Sequence, residues 1–127
     1  MSDATTRGIR VQVQTFYDEE SSSPAESYYF FAYQVRISNL GTLTAQLVSR
    51  EWFITDANGE TQRVQGPGVV GEQPVLAPGE SFEYTSFCPL TTPVGAMRGT
   101  YRMVLENGES FEAEIAPFGL SVPHAVN

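Results

Sequence analysis

The feature that most constrains this chain is the alternation of apolar and polar residues along several short segments. In YYFFAYQVRISN the odd positions from Tyr29 to Ile37 are all apolar, whereas Gln34, Arg36 and Ser38 occupy the opposite phase. Successive side chains of a β-strand point to opposite faces, so a period of two indicates a strand with one buried face. The same pattern recurs in four further segments: Arg10–Thr15, Phe82–Thr85, Tyr101–Glu106 and Phe111–Ile115. No window shows sustained helical spacing, and the sequence therefore predicts an all-β fold.

Turn signals separate these segments. Asn-Gly pairs stand in Asp56–Glu60 and in Glu106–Glu109, and this dipeptide between two strands is a strong hairpin signal. The apolar phase also changes from odd to even positions near Leu47 and Val48, and Trp52 follows the new phase. One extra residue at that point predicts a β-bulge, after which the apolar side chains continue to face the core.

The spacing of strands and turns predicts a two-sheet antiparallel sandwich of about seven strands, similar to an immunoglobulin or fibronectin type III domain. A closed barrel is the alternative architecture. The chain has 127 residues, a length that fits one domain with its own core. We expect a mobile N-terminal tail over residues 1–8, a single domain over residues 9–122, and a C-terminal tail over residues 123–127.

Charge and composition restrict the partners. The chain carries 15 acidic and 7 basic residues, a net charge of -8, and so repels nucleic-acid phosphates. No apolar run approaches the roughly 18 residues of a membrane span. A single cysteine cannot form an internal disulfide, and the first residues show no apolar leader. We therefore expect a cytoplasmic protein that contacts neither nucleic acid nor membrane.

The residues contain no constellation that predicts catalysis. Cys88 and His124 are the one thiol and the one imidazole, but Cys88 lies in the apolar phase of its strand and is interpreted as a buried, inert side chain. A structural zinc site needs four such ligands. The carboxylates of YDEESSSPAE are interpreted as a solvated loop. The sequence predicts a protein that is not an enzyme and holds neither a metal nor a cofactor.

The stretch VQGPGVVGEQP contains the spacing G-x-G-x-x-G at Gly66, Gly68 and Gly71. In a dinucleotide-binding fold this motif opens a helix, but here Pro67 lies inside it and no helical pattern follows. Two interpretations stay open. The glycines supply the conformations of a long loop, or their backbone N–H groups bind phosphate or pyrophosphate with Arg63 as the charged partner.

Four further residues have structural interpretations. Trp52 is placed in the core, and Tyr101 is predicted to be a corner tyrosine whose hydroxyl bonds to backbone. Arg50 either lines a surface groove or, as the favoured interpretation, is an ordinary surface arginine. Phe87 occupies an outward phase, where it either packs beneath a neighbouring loop, the favoured interpretation, or offers an apolar contact to a partner.

An ordered series of residues resembles the ApaG (CorD) domain family from about Arg10 to Val122: Trp52, Asn58-Gly59, Gly66, Gly68-Val69-Val70-Gly71, Pro74, Pro78-Gly79, Tyr84-Thr85-Ser86, and Met97 with Gly99 and Tyr101. The resemblance implies a fibronectin type III-like sandwich and, from related eukaryotic domains, a role in binding a protein partner. It also implies a link to cobalt resistance and magnesium efflux, and a proposed nucleotide-binding role for the glycine motif. We expect first a protein-binding module, second a phosphate-binding protein, and third a role in metal homeostasis.

Overall fold

A computed structural model describes residues 1–123, which form nine β-strands and a short 3-10 turn over Pro24–Glu26. The strands are β1 (Ser2–Thr6), β2 (Ile9–Tyr17), β3 (Tyr29–Asn39), β4 (Ala45–Asp56), β5 (Thr61–Pro67), β6 (Val75–Leu76), β7 (Ser81–Leu90), β8 (Val94–Leu105) and β9 (Ser110–Ser121). The all-β prediction is confirmed, although the strand count is nine and not seven. Within residues 1–123, no helix has the length and apolar character needed to cross a membrane.

The strands form two antiparallel sheets that pack face to face. The first sheet has the order β1-β2-β3-β7, and the second has the order β5-β4-β8-β9 with β6 beside β4. The inward residues of both sheets form one core, and the completely buried side chains include Val11, Val35, Leu47, Tyr101 and Met103. The sandwich prediction is therefore confirmed, and the alternative of a closed barrel is wrong.

The N-terminal residues differ from the prediction of a mobile tail over residues 1–8. Ser2–Thr6 form β1, which pairs with the first residues of β2 from Ile9 to Val13. A tight turn at Arg7 and Gly8 joins the two strands, and both residues have positive φ, at 47° and 86°. Positive φ at both central residues is typical of a two-residue hairpin turn, for which the arginine gave no sequence signal. Residues 124–127 of the predicted C-terminal tail lie outside the described residues.

The predicted turns and bulge are confirmed. Asn58 and Gly59 lie in the hairpin between β4 and β5, and Asn107 and Gly108 lie in the hairpin between β8 and β9. The pairing of β4 with β8 shifts register between Leu47 and Ser49, which leaves Val48 as the extra residue. The bulge restores the inward phase for the rest of β4.

The two lateral sides of the sandwich differ. On one side β9 lies close to β1, and the Thr6 hydroxyl accepts a hydrogen bond from the Glu114 amide at 3.0 Å. On the other side β7 ends the first sheet and β5 ends the second, and within residues 1–123 no strand pairs with their outer edges. We call this opening the β5/β7 cleft. Its centre is lined by Tyr33, Arg50, Trp52 and Ser86.

Candidate functional site

The glycine loop, residues 66–73, folds over the bulge in β4. The Val48 carbonyl oxygen at the bulge accepts a hydrogen bond from the Gly68 amide at 2.9 Å and another from the Gln73 side-chain amide at 2.9 Å. A bulge removes a backbone group from the ladder, and an unpaired buried carbonyl is costly. The loop therefore supplies the hydrogen bonds that the bulge needs.

Each glycine of the motif has its own structural reason. Gly68 has a φ of +61°, and a Cβ there would lie well inside 3.0 Å of the Glu72 carbonyl oxygen, closer than real Cβ atoms come. Gly66 makes room for the side chain of Arg50, because a Cβ at position 66 would stand only 3.1 Å from Nη1 of Arg50, a tight contact. Gly71 has a φ of +81° but faces open space. The interpretation as loop architecture thus accounts for all three positions.

The loop amides are largely occupied. The Val69 amide donates to the Glu72 carbonyl at 2.8 Å, the Glu72 amide donates back to Val69 at 2.9 Å, and the Gly68 amide already bonds to the bulge. An anion-binding nest needs successive N–H groups that are directed at the ligand. Phosphate or pyrophosphate binding by this loop stays a prediction.

Arg63 does not contact the glycine loop through any hydrogen bond or ion pair of the described residues. It donates to the Glu51 carboxylate, with Nε 2.7 Å from Oε2. Arg50 is the arginine beside the loop: its Nη1 donates to the Pro67 carbonyl at 2.9 Å and to the Gly68 carbonyl at 3.0 Å. The cause is the two-residue period of the strands, which places Arg50 in the inward phase and gives Arg63 an exposed position.

The β5/β7 cleft has two adjoining cavities of about 270 Å³ and about 200 Å³, which share its four central residues. Arg50 is half-buried there and lies near two side chains with hydroxyl groups, Tyr33 and Ser86. Burial raises the pKa of Tyr33, and a hydrogen bond with Ser86 only partly opposes this rise. At neutral pH the cleft therefore presents one guanidinium and protonated hydroxyl groups above the apolar surface of Trp52.

A pair of tyrosines closes the bottom of the cleft. The hydroxyl groups of Tyr84 in β7 and Tyr101 in β8 share a hydrogen bond that joins the two sheets. Burial raises the pKa of both hydroxyls. The prediction that Tyr101 bonds to backbone as a corner tyrosine is wrong, because this residue lies in the middle of the core, where the opposite sheet supplies its partner. Trp52 is buried in the same core, as predicted.

The predicted burial of Cys88 is confirmed. Cys88 is buried in β7, and burial raises the pKa of its thiol to about 11, so the nucleophilic thiolate is disfavoured at neutral pH. His124, the other member of the pair considered from the sequence, lies outside the described residues. Among residues 1–123 no group of three or more His, Cys, Asp and Glu side chains is arranged to hold a metal ion.

A second surface lies on the outer face of the first sheet. We call it the aromatic patch and define it as Phe16, Tyr28, Phe30 and Phe87. Phe16 and Phe87 lie in register on either side of Ala32 in β3. The Phe30 ring stacks on Phe87 with centroids 5.3 Å apart, and Tyr28 stacks on Phe30 at 6.1 Å. The patch is exposed, since Phe16, Tyr28 and Phe87 retain 52%, 40% and 55% of their accessible surface.

The favoured expectation for Phe87, packing beneath a neighbouring loop, is wrong. Its outward phase in β7 places it on the sheet surface, where its neighbour is the half-buried ring of Phe30. The β2–β3 connection, which carries Asp18, Glu19, Glu20 and Glu26, leaves the sheet beside this patch, and the Asp18 amide donates to the Phe30 carbonyl at 2.8 Å. The aromatic patch therefore has an acidic segment at its border.

The sequence interpretation favoured other roles for the residues of both surfaces, although signals for these surfaces were present. Arg50 shares the inward phase of Trp52, which distinguishes it from a solvated arginine. Phe16, Phe30 and Phe87 occupy the outward phase of their strands, where polar residues are the rule for an antiparallel sheet with one wet face. The register between strands, which decides that these rings meet, was not readable from the sequence.

Comparison with known proteins identifies relatives over the whole chain. A family model described as the ApaG domain matches residues 19–105. The Protein ApaG of Anaeromyxobacter sp. (strain K) is 58% identical over 127 residues, 100% of both chains. That of Methylobacterium sp. (strain 4-46) is 60% identical over 124 residues, 98% of this chain and 95% of that protein. A solved structure of a Bordetella pertussis protein described as ApaA superposes with a TM-score of 0.90 at 55% identity, covering 92% of this chain and 95% of that one.

Proposed function

Since the chain belongs to the ApaG domain family, we propose that it is a non-enzymatic module that binds another protein through its aromatic patch. The observation that carries the proposal is the exposure of Phe16, Tyr28 and Phe87 on one sheet face, where half-buried Phe30 stacks between Tyr28 and Phe87. Single exposed apolar residues are ordinary, but a contiguous apolar group on a surface is typical of an interaction site. Aromatic side chains are also enriched in the centres of protein interfaces.

The energetics favour association. Complete burial of one large apolar side chain contributes about 1.5–3 kcal/mol, and each of the exposed rings still has about half of that contribution to gain. The stacked rings are also held in place by each other and by the sheet. Little side-chain entropy is therefore lost when a partner covers them, which is the cost that most weakens flexible interfaces.

The charges around the patch define the kind of partner. The acidic β2–β3 connection and the net charge of -8 favour a protein whose apolar surface has Lys or Arg at its border. The same charge disfavours a nucleic acid or an anionic membrane as the partner. We place this encounter in the cytoplasm, a reducing compartment that suits a chain with one free cysteine.

The non-enzymatic part of the proposal has support in the titratable groups of the cleft. Burial raises the pKa of Tyr33, Tyr84, Tyr101 and Cys88, so each keeps its proton at neutral pH. A nucleophile or general base needs the opposite shift or a neighbouring base. The groups that line the cleft are therefore suited to binding by hydrogen bonds and charge.

The test is a comparison of affinity-purified complexes from cells of the organism that encodes the protein. The patch variant carries Phe16→Ser and Phe30→Ser, which remove two rings without touching the cleft. Leu40→Ser is the matched control, because Leu40 is an exposed apolar residue in the turn after β3. We expect a protein that copurifies with the wild type and with Leu40→Ser and is lost from the patch variant. Recovery of the same proteins by all three forms would contradict the proposal.

A further inference from the structure

Arg50 places a cationic guanidinium in the β5/β7 cleft. The ion pairs of residues 1–123 use four of the seven arginines, Arg7, Arg10, Arg63 and Arg102, and no carboxylate pairs with Arg50. Its Nη1 bonds to two carbonyl oxygens, which fix the guanidinium plane against Gly66. A guanidinium has five N–H donors, so several of them stay available. A half-buried, oriented cation of this kind is suited to an external anion.

The chemistry of the cleft favours a carboxylate. A guanidinium binds a carboxylate through two parallel hydrogen bonds, and the hydrogen-bonded hydroxyl pair of Tyr33 and Ser86 stands beside it with one further O–H donor. A phosphate dianion needs more compensating charge than one arginine supplies.

The walls of the cleft favour an extended segment. They are the outer edges of β5 and β7, and an unpaired strand edge offers its N–H and C=O groups to an added strand. The residues of β7 that line the two cavities lie between Tyr84 and Pro89, a stretch that corresponds to about four to six residues of an extended partner. Pro89 lacks an N–H and limits pairing toward one end. Side chains of an extended segment alternate, so one can enter toward Arg50 while the next lies near exposed Phe87.

We propose that the β5/β7 cleft receives an extended segment of a partner protein, with an aspartate or glutamate side chain on Arg50 and its backbone beside β7. The inference rests on the proposed protein-binding function and gives it a second contact surface. A second copy of this chain is a poorer occupant, because two chains of charge -8 repel each other.

The test uses random linear peptides displayed on phage and selected on the full-length protein. Selected peptides are synthesised together with versions in which the shared acidic residue is changed to its amide. Binding is measured on the wild type, on Arg50→Gln, and on Arg36→Gln, which removes one positive charge from the outer face of the first sheet. We expect a family of peptides with one acidic position, and a loss of affinity of about tenfold or more for Arg50→Gln and for the amide peptide. Arg36→Gln should bind like the wild type.

Other outcomes would overturn the inference. These are selected peptides without a shared acidic position, peptides that bind Arg50→Gln with unchanged affinity, and self-association through this face in sedimentation experiments. Binding of acetate at Arg50 with no peptide family would assign the cleft to small free acids. Circular dichroism checks that Arg50→Gln folds, and the amide peptide on the wild type carries the test if it does not. If the patch variant loses its cellular partner while no acidic peptide is selected, the proposed function stands and this inference fails.

Discussion

Replacement of Gly68 by alanine tests whether the glycine loop is held against the bulge of β4 or is an ordinary turn. A residue with a side chain pays about 1–2 kcal/mol to adopt a left-handed conformation such as the φ of +61° at this position. The new Cβ would also overlap the Glu72 carbonyl, so the loop must move. Movement weakens the hydrogen bonds from Gly68 to Val48 and between Val69 and Glu72, each with a net contribution of about 1 kcal/mol. We expect a total loss of about 3 kcal/mol or more.

Urea denaturation of the wild type, Gly68→Ala and Gly71→Ala measures this effect. Gly71 is the matched control because it has a similar positive φ but no neighbour within 4 Å of a Cβ, so only the conformational cost of about 1–2 kcal/mol applies. In thermal melts the melting temperature of the Gly68 variant should fall by about 12 °C or more, at roughly 4 °C per kcal/mol for a domain of this size. Equal destabilisation by the two substitutions would refute the argument that the loop is clamped onto the bulge of β4.

Three further predictions concern the core. Tyr84→Phe leaves the hydroxyl of Tyr101 unpaired and should lower the free energy of unfolding by about 1–3 kcal/mol, measured by urea denaturation. The double variant Tyr84→Phe/Tyr101→Phe should lose less stability than the sum of the two single variants, and additive losses would argue against the hydrogen bond. Cys88 should react with a thiol reagent at neutral pH only as fast as the protein opens, and rapid labelling of the native state would contradict its burial. The pKa values of Tyr33, Tyr84 and Tyr101 are raised in the folded state, so these tyrosines lose their protons at lower pH in the unfolded chain. The free energy of unfolding should therefore be undiminished below pH about 10 and fall above it by up to about 1.4 kcal/mol per pH unit for each tyrosine. A stability that does not change above pH about 10 would refute this prediction.

Much of the fold was predictable because its causes are local. The two-residue period of the strand around Val35 follows directly from which face is buried, and the change of phase near Val48 marks the bulge. Asn58-Gly59 forms the predicted hairpin because Gly59 has a φ of 83°, which few other residues adopt. The sequence did not predict β1, because SDATT has weak apolar character and its pairing with β2 depends on the turn at Arg7.

The candidate sites depend on contacts between distant segments, which the sequence does not display. Arg63 is near the glycine motif in sequence, and its proximity suggested a role at the loop. Arg50 is more distant from the motif in sequence, but the pairing of β4 with β5 places it opposite Gly66. The phase of Arg50 contained the relevant information, but only the structure shows that the inward position opens into a cleft and not into the core.

The most direct test of the central claim, that the exposed face of the first sheet binds a protein, is site-specific photocrosslinking in living cells. The photoreactive residue p-benzoylphenylalanine replaces Phe87 in one form and Leu40 in a control form, because both positions are exposed and only the first belongs to the aromatic patch. We predict a discrete crosslinked product with another protein from position 87, absent from position 40 and lost when Phe16→Ser and Phe30→Ser are added. No product from position 87, or the same products from both positions, would contradict the account.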